Sequence, residues 1–237
     1  MNVPERIVPD ETERGIVALH LKRYEFARPF AEGKDVLDAA CGVGYGTAFL
    51  ARRARRSVGI DLSAEAIGYA RRRYAAPNVR YEVGDVLALP FADASFDVVC
   101  AFETIEHLAD PERFVAEAAR VLRSPGVLVA STPLLEVTDE RPDNPFHERE
   151  FSAPDFEALL ARRFASVELF GQRRLQTARH RALQRVDALG LRRRMPFLRR
   201  LGRVVTGTAA MADVSSEGVE IGPALAGATE LIAVCRT

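Results

Sequence analysis

The sequence predicts an α/β fold, a doubly wound and mostly parallel sheet with helices on both faces, and three observations carry that reading. From Asp35 onward, short β-rich runs alternate with helical stretches at the spacing of strand-helix-strand units. The first run passes through Gly42, Gly44 and Gly46 directly into a helical stretch. An acid lies at the end of each of the first three runs: Asp38, Asp61 and Asp85. Three carboxylates at successive strand ends point to one crevice on one rim of the sheet.

Ahead of the sheet, Asp10 followed by Glu13 resembles a capping box, and Ile16, Leu19, His20, Tyr24 and Ala27 recur at helical spacing up to Pro29. This predicts a leading helix over 11–31. Strands are expected at 36–37, 57–60, 79–83, 96–102 and 126–131, with helices over 45–54, 64–74 and 111–122 between them. Asp110 is the expected N-cap of the last helix, with Pro111 in its first helical position. The alternation pauses in the polar stretch 133–151, whose prolines and acids oppose regular structure, and a loop this long is usually a lid or a binding loop. Ser152 with Asp155 should cap a helix to about Phe164, 166–170 reads as a strand, and 229–236 as the final strand. Between those two strands, 172–226 is an Arg-rich insertion, expected as two helices around 175–189 and 196–205. The organisation is one domain: a helical cap over 1–34, a ligand-binding core over 35–132, a substrate loop over 133–151 and the insertion.

With 237 residues, 48% hydrophobic and 28% charged, the chain has material for one core of the larger single-domain size. No apolar run approaches the roughly 18 residues needed to cross a bilayer. The first twenty residues, with Glu5, Asp10, Glu11 and Glu13, do not resemble a secretory leader, so a cytoplasmic protein without membrane contact is expected. Cys41, Cys100 and Cys235 are scattered, which suggests neither a disulfide framework nor a structural zinc site. The formal charge of zero conceals an asymmetry: between Gly171 and Arg203 eleven arginines face one acid, Asp187.

The segment Asp35-Val-Leu-Asp38-Ala-Ala40-Cys-Gly42-Val-Gly44-Tyr-Gly46 permits a sharp turn and lets a ligand lie against bare backbone. A dinucleotide fingerprint would need a glycine three residues after Gly44, where Thr47 stands, and the Gly-Lys-Ser/Thr of a phosphate loop is absent. A nucleoside-type ligand without a pyrophosphate fits better. Asp38 could then hold a cationic amine, Asp61 both hydroxyls of a ribose, and Asp85 the exocyclic amine of an adenine.

With LDAACGVGYG, GIDLS, VGDVLALPF and FDVVCAFETIEHL, residues 35–132 resemble the class I S-adenosylmethionine-dependent methyltransferases, particularly those acting on small molecules. The resemblance implies a Rossmann-like, seven-stranded sheet with an antiparallel last strand, and S-adenosyl-L-methionine as cofactor. It assigns Asp38, Ala40, Gly42 and Gly44 to the methionine end, Asp61 and Leu62 to the ribose, Gly84, Asp85 and Val86 to the adenine, and Phe102 to the wall beside the sulfonium. In similar enzymes the leading helix, with His20, Arg23 and Tyr24, folds over the cofactor, and Tyr24 is counted among its contacts; a packing role for the three stands equally.

For a hydroxyl acceptor, methyl transfer needs alignment and a place for a proton. Imidazole has a reference pKa of about 6.5, and His107, in Glu103-Thr-Ile-Glu106-His107 after the fourth strand, is the expected general base. A helix-cap or packing role is its alternative. Adjacent helical residues do not face one another, so a direct Glu106–His107 pair is not expected. The resemblance makes Asn144-Pro-Phe146-His147-Glu-Arg149-Glu-Phe151 a lid facing the acceptor, with Thr132, Asn144, His147 and Arg149 as acceptor contacts; a solvated loop anchored by Phe146 and Phe151 is the alternative.

The absence of an Asp/Asn-Pro-Pro-aromatic motif, of a Pro-Cys nucleophile and of catalytic lysines disfavours a nucleic acid partner. Arginine suits carboxylates and diphosphates, so the expected acceptor is a small, anionic hydroxyl compound such as a sugar or a nucleotide sugar, UDP-glucuronic acid for example. PERIVPDET and NPFHEREF also look like methyltransferases associated with saccharide biosynthesis. The expected activity is therefore O-methylation. Methylation of carbon or nitrogen in a quinone, lipid or natural product is the second reading, and a non-catalytic cofactor-binding module the third. The insertion's arginines could instead face solvent or a second subunit in a homodimer. Asp139, Glu140 and Asp143 form the only acid cluster seen, without spacing for an octahedral site, so independence from metal is expected.

Overall fold

A computed structural model describes residues 7–174 and 218–237. In chain order the elements are helix α1 (Arg14–Ala31), strand β1 (Asp35–Ala39), α2 (Tyr45–Ala51), β2 (Arg56–Asp61), α3 (Ala64–Arg73), β3 (Val79–Val83) and β4 (Phe96–Phe102). A single 3-10 turn (Ile105–His107), α4 (Pro111–Val121), β5 (Leu122–Leu135), β6 (Phe151–Ser152), α5 (Ala153–Ala161), β7 (Ser166–Arg174), β8 (Val219–Gly222) and β9 (Glu230–Arg236) follow.

The sheet order is β3-β2-β1-β4-β5-β9-β7-β8, with β6 paired to β5. From β3 to β5 the strands run parallel, and β9 inserts antiparallel between β5 and β7. The fold class expected from the sequence holds, and among the described residues the sheet has nine strands where seven were expected. The two added are β6, which pairs Phe151 with Leu134, and β8, which pairs with an extended β7. Both ends of the expected helical insertion are thus strands, and the two helices expected within it lie outside the described residues.

Strand residues alternate between two apolar layers because each face is covered by helices. Leu37, Val99, Ala101, Leu128 and Ala233 meet Phe114, Ala118, Phe156 and Leu160 of α4 and α5. Val36, Val98, Cys100, Val129 and Ile232 meet Tyr24 and Ala27 of α1 and Leu50 of α2. All three cysteines are buried and unpaired.

Local signals place most element ends. Asp110 accepts from the Arg113 amide at 2.9 Å, and Ser152 caps α5, accepting from the Asp155 amide at 3.4 Å. At α1 the expected capping box is not formed. Glu13 is the N-cap residue without a side-chain bond, and the preceding turn is closed by Thr12, whose hydroxyl accepts from the Val8 amide at 3.0 Å. No helix among the described residues is long and apolar enough to cross a membrane.

Phe114 is wholly enclosed and ties α4 to the sheet. Phe114→Ala is expected to destabilise the chain by about 3–5 kcal/mol in urea unfolding. A loss below about 1 kcal/mol would show that this layer does not hold the fold.

Candidate functional site

The strand order reverses between β1 and β4, which opens a crevice at the carboxyl ends of the strands. Here the chain turns through left-handed conformations at Ala40 (φ 57°), Gly42 (φ 55°) and Gly44 (φ 84°), and again at Glu103 (φ 48°) just after β4. Such angles in the non-glycine residues Ala40 and Glu103 cost energy, and strain of this kind gathers at functional sites. The three glycines of the loop do different work. Nothing lies within 4 Å of a Cβ added at Gly42, so its backbone faces open space. A Cβ at Gly44 would come within 2.5 Å of the Tyr81 ring, and one at Gly46 would overlap the Tyr24 ring. Gly44 packs against Tyr81, and its carbonyl accepts from the Tyr81 hydroxyl at 2.9 Å.

The acids at the strand ends also differ. Asp38 is buried, taking hydrogen bonds from Thr47 Oγ1 at 2.6 Å and from the Tyr24 hydroxyl at 3.2 Å. Burial pushes its carboxyl up to about 7, against the opposing pull of those two donors. Asp61 turns toward the glycine loop, with Oδ2 accepting from the Gly42 amide at 2.8 Å and Oδ1 from the Ser63 amide at 2.9 Å. Asp85 is exposed and accepts from the Leu87 amide at 2.8 Å. Leu62, 75% exposed, follows Asp61, and Asp61's register partner Val83 is 48% exposed, so an apolar edge borders these acids. Gly84 packs on Ile60, and Val86 is buried beside it in the same core layer. Tyr24 is buried rather than open to the crevice, edge-on to Phe102 with ring centroids 4.8 Å apart.

Beyond β4, the 3-10 turn carries Glu106 inward and leaves His107 half-buried. The loop after β5 docks on this turn. The amides of Glu148 and Arg149 donate to the Glu106 carbonyl at 2.7 and 3.3 Å, and Asp139 and Glu150 exchange amide-carbonyl bonds at 2.9 and 3.0 Å. His147 thereby comes edge-on to His107, with ring centroids 4.7 Å apart. One ligating atom each from Glu106, His107 and His147 lies within 4.8 Å of the others. Glu106 is fully buried, its Oε2 makes no hydrogen bond, and burial together with Glu103 drives its carboxyl well above the usual range.

The other residues expected at the acceptor are engaged within the protein. Thr132 is wholly enclosed in β5 with no hydrogen bond from its hydroxyl, so it does not face an acceptor. Asn144 Oδ1 accepts from the Phe146 amide at 3.1 Å and shapes the turn before His147. Arg149 pairs with Glu140 at 2.7 Å and lies over the Phe151 ring. Asp139 accepts from the Arg141 amide at 2.8 Å, so the loop acids serve the loop itself.

Sequence reasoning missed Glu230 and Gln172 and left the role of Arg23 open. Arg23 is 2% exposed: Nε donates to Gln172 Oε1 at 2.8 Å, and its two terminal nitrogens lie 3.4 Å from Glu103 and 3.4 Å from Glu230. Burial and the neighbouring Glu103 push Glu230 up to about 8. Burial and Arg23 drive His20 down to about 3, keeping it neutral with Nδ1 toward the guanidinium. The only signals were a charged position on the apolar face of the leading helix and a lone acid opening an apolar strand.

Residues 37–130 match a family described as a methyltransferase domain. Over residues 37–130 the chain carries an S-adenosylmethionine-dependent methyltransferase domain. A Mycobacterium tuberculosis protein named "Probable S-adenosylmethionine-dependent methyltransferase" is 41% identical over 160 residues, 66% of this chain and 58% of that protein. A fatty-acid O-methyltransferase of Mycolicibacterium smegmatis is 32% identical over 183 residues, 76% of this chain and 60% of its own length. The chain thus spans about three fifths of these relatives. Among solved structures, an S-adenosylmethionine-dependent methyltransferase from Mesorhizobium loti has a TM-score of 0.63 at 16% identity, covering 94% of this chain and 100% of that one. The [4+2]-cyclase SpnF has a TM-score of 0.62 at 20% identity, covering 98% and 86%. Both are likenesses of fold.

S-adenosylmethionine is the cofactor of this family, and the crevice fits it: open backbone at Gly42, the Asp61 carboxylate on the same loop, and the exposed apolar edge of Leu62 and Val83.

Two predictions follow from the buried charges. Because the folded chain holds the Asp38 proton more tightly than the unfolded chain, this group's stabilisation is complete below pH about 4 and is lost as pH rises through about 7. Urea unfolding of the cofactor-free chain between pH 5 and 8 should show this decline, and Asp38→Asn should flatten it; an unchanged slope in the variant would assign the titration to Glu230. Replacing Arg23 by Met leaves Glu103 and Glu230 without their cation and should cost about 3–5 kcal/mol. Glu230→Gln in that background should restore part of the loss, and the absence of any recovery would separate the two residues.

Proposed function

We propose that the chain transfers a methyl group from S-adenosylmethionine to a hydroxyl oxygen of a small acceptor. The observation that carries this reading is His107, half-buried just beyond β4 on the same rim as Gly42 and Asp61, with its ring held by the Phe146 carbonyl at 2.8 Å. A carbonyl only accepts, so Nδ1 carries the proton, and Nε2 of the neutral ring is the basic nitrogen.

The cofactor supplies a methyl carbon already activated by positive sulfur, which leaves alignment and proton transfer to the protein. Gly42 and the Asp38 carboxylate behind it are the groups for the methionine end. Asp61 and Leu62 serve the ribose, Asp85 with Val86 the adenine, and Phe102 walls the reacting side. His107 Nε2 takes the proton that the hydroxyl gives up. The three acids and this base together support catalysis over a silent binding module.

For the body of the acceptor, an apolar surface is favoured. Phe146, beside His107 on the docked loop, is 44% exposed and Val137 on the same loop 77%. The fatty-acid O-methyltransferase and a phthiotriol/phenolphthiotriol dimycocerosates methyltransferase of Mycobacterium ulcerans, 36% identical over 147 residues, also support a lipid or natural-product acceptor. The anionic-sugar reading rests on the arginines of 171–203, of which only Arg173 and Arg174 fall among the described residues, where Arg173 pairs with Glu220 at 2.8 Å.

Incubation with labelled S-adenosylmethionine and a panel of hydroxylated lipids, phenols and nucleotide sugars should label a lipid-like or phenolic hydroxyl. Transfer to nucleotide sugars alone would reverse the acceptor assignment, and a chain that shows no heat of binding with the cofactor would remove the enzymatic reading. His107→Ala should lower kcat by about 100-fold or more while the cofactor Kd stays within about twofold; an unchanged rate would move the base elsewhere.

A further inference from the structure

We propose that Glu106, His107 and His147 form a binding site for a divalent transition-metal ion of the zinc class. Theirs is the one group of potential metal-ligating side chains that comes together among the described residues, with one ligating atom from each within 4.8 Å of the others. Across a tetrahedral ion with bonds of about 2.0–2.1 Å, ligand atoms stand roughly 3.3 Å apart, so closure by about 1–1.5 Å completes the set.

Three features of the surroundings point to an ion rather than to ring packing alone. Glu106 is 1% exposed, and its Oε2 has no hydrogen-bond partner. A buried carboxyl oxygen without a donor is costly, and a bound cation would supply the partner that Oε2 is without. Both imidazoles are also set in the tautomer that presents Nε2. The Nδ1–H of His147 donates to Glu150 Oε1 at 2.6 Å, and that of His107 to the Phe146 carbonyl at 2.8 Å. A carboxylate or carbonyl behind each ligating histidine is the recurring arrangement of metal sites, where it fixes the ring and raises its basicity. Finally, the ligands come from two segments about forty residues apart, held together by the Glu148 and Arg149 amides on the Glu106 carbonyl. Ring packing explains the 4.7 Å edge-on contact but not the enclosed acid beneath it.

Two imidazoles and one carboxylate suit zinc and its transition-metal neighbours, whereas magnesium and calcium favour oxygen throughout. Three protein ligands leave a coordination position for an oxygen, and with an ion bound His107 Nε2 is a ligand, so the base role proposed for it belongs to the metal-free chain. The proposal departs from the expectation of metal independence, which was drawn from Asp139, Glu140 and Asp143 because sequence spacing does not show this cluster.

The test is a titration of the full chain, stripped with a chelator and dialysed. Co2+ is expected to bind at one ion per chain with visible absorption, Zn2+ to displace it, and Mg2+ at the same concentration to do neither. His147→Ala and Glu106→Gln should each weaken Co2+ binding by about 100-fold, and Glu150→Ala, which removes only the group behind His147, by about 10- to 100-fold. Thermal melts establish that each variant is folded. Co2+ binding that is no tighter in the unmodified chain than in His147→Ala, or displacement by Mg2+, would overturn the proposal. The titration needs neither cofactor nor acceptor, so its failure leaves methyl transfer standing, and a chain that binds Co2+ but not S-adenosylmethionine would sink only the methyltransferase reading.

Discussion

Arg23 lies between the leading helix and the sheet, with Glu103 from the end of β4 and Glu230 from the start of β9 each 3.4 Å away and Gln172 of β7 at 2.8 Å. A guanidinium is always charged, and in so enclosed a place it holds only because two carboxylates and an amide answer it. The same contacts clamp α1 across the sheet, and that sets the rest of the rim. With α1 in place, Tyr24 fills the space that a side chain at Gly46 would need and sends its hydroxyl to Asp38. Glu103 is turned through a left-handed backbone angle toward Arg23, and the chain beyond it enters the 3-10 turn that carries Glu106 and His107.

From this anchor the rim divides into two halves with different physics. On the side of β1 to β3 the polar groups are paired and the open surfaces are backbone and aliphatic: Gly42, Leu62 and Val83 around Asp61. This suits a nucleoside held by a few directional bonds over apolar contact. Beyond β4, acids and imidazoles crowd together under partial cover. Glu106 and Glu230 are pushed upward in pKa and His20 downward, all chiefly by burial. Groups whose charge is this costly to maintain respond to any cation or proton that arrives, as chemistry at a reacting oxygen requires.

Much of the first half is legible in the chain. The strand-helix alternation, the glycines at alternate positions and an acid at each strand end are local patterns, and Asp38, Asp61 and Asp85 lie at or just beyond the ends of β1, β2 and β3. That Gly44 must lack a side chain because Tyr81, thirty-seven residues on, packs where a Cβ would go is not legible in the chain. Thr132 follows directly on the strand expected over 126–131 and so reads as a rim position, but β5 continues through Leu135 once β9 and β6 pair with it, and Thr132 is enclosed.

The sequence by itself determined the α/β class, the parallel core, the crevice at the carboxyl ends of its strands and the placing of His107 after the fourth strand, because these follow from short-range periodicity and from residues adjacent in the chain. Only the tertiary structure decided that Arg23 joins Glu103 to Glu230, and that His147 folds back onto Glu106 and His107. Those contacts span about 40 to more than 200 residues, and no local preference encodes them. They exist because burying the two faces of one sheet brings distant segments to the same rim, where each charge must find a partner.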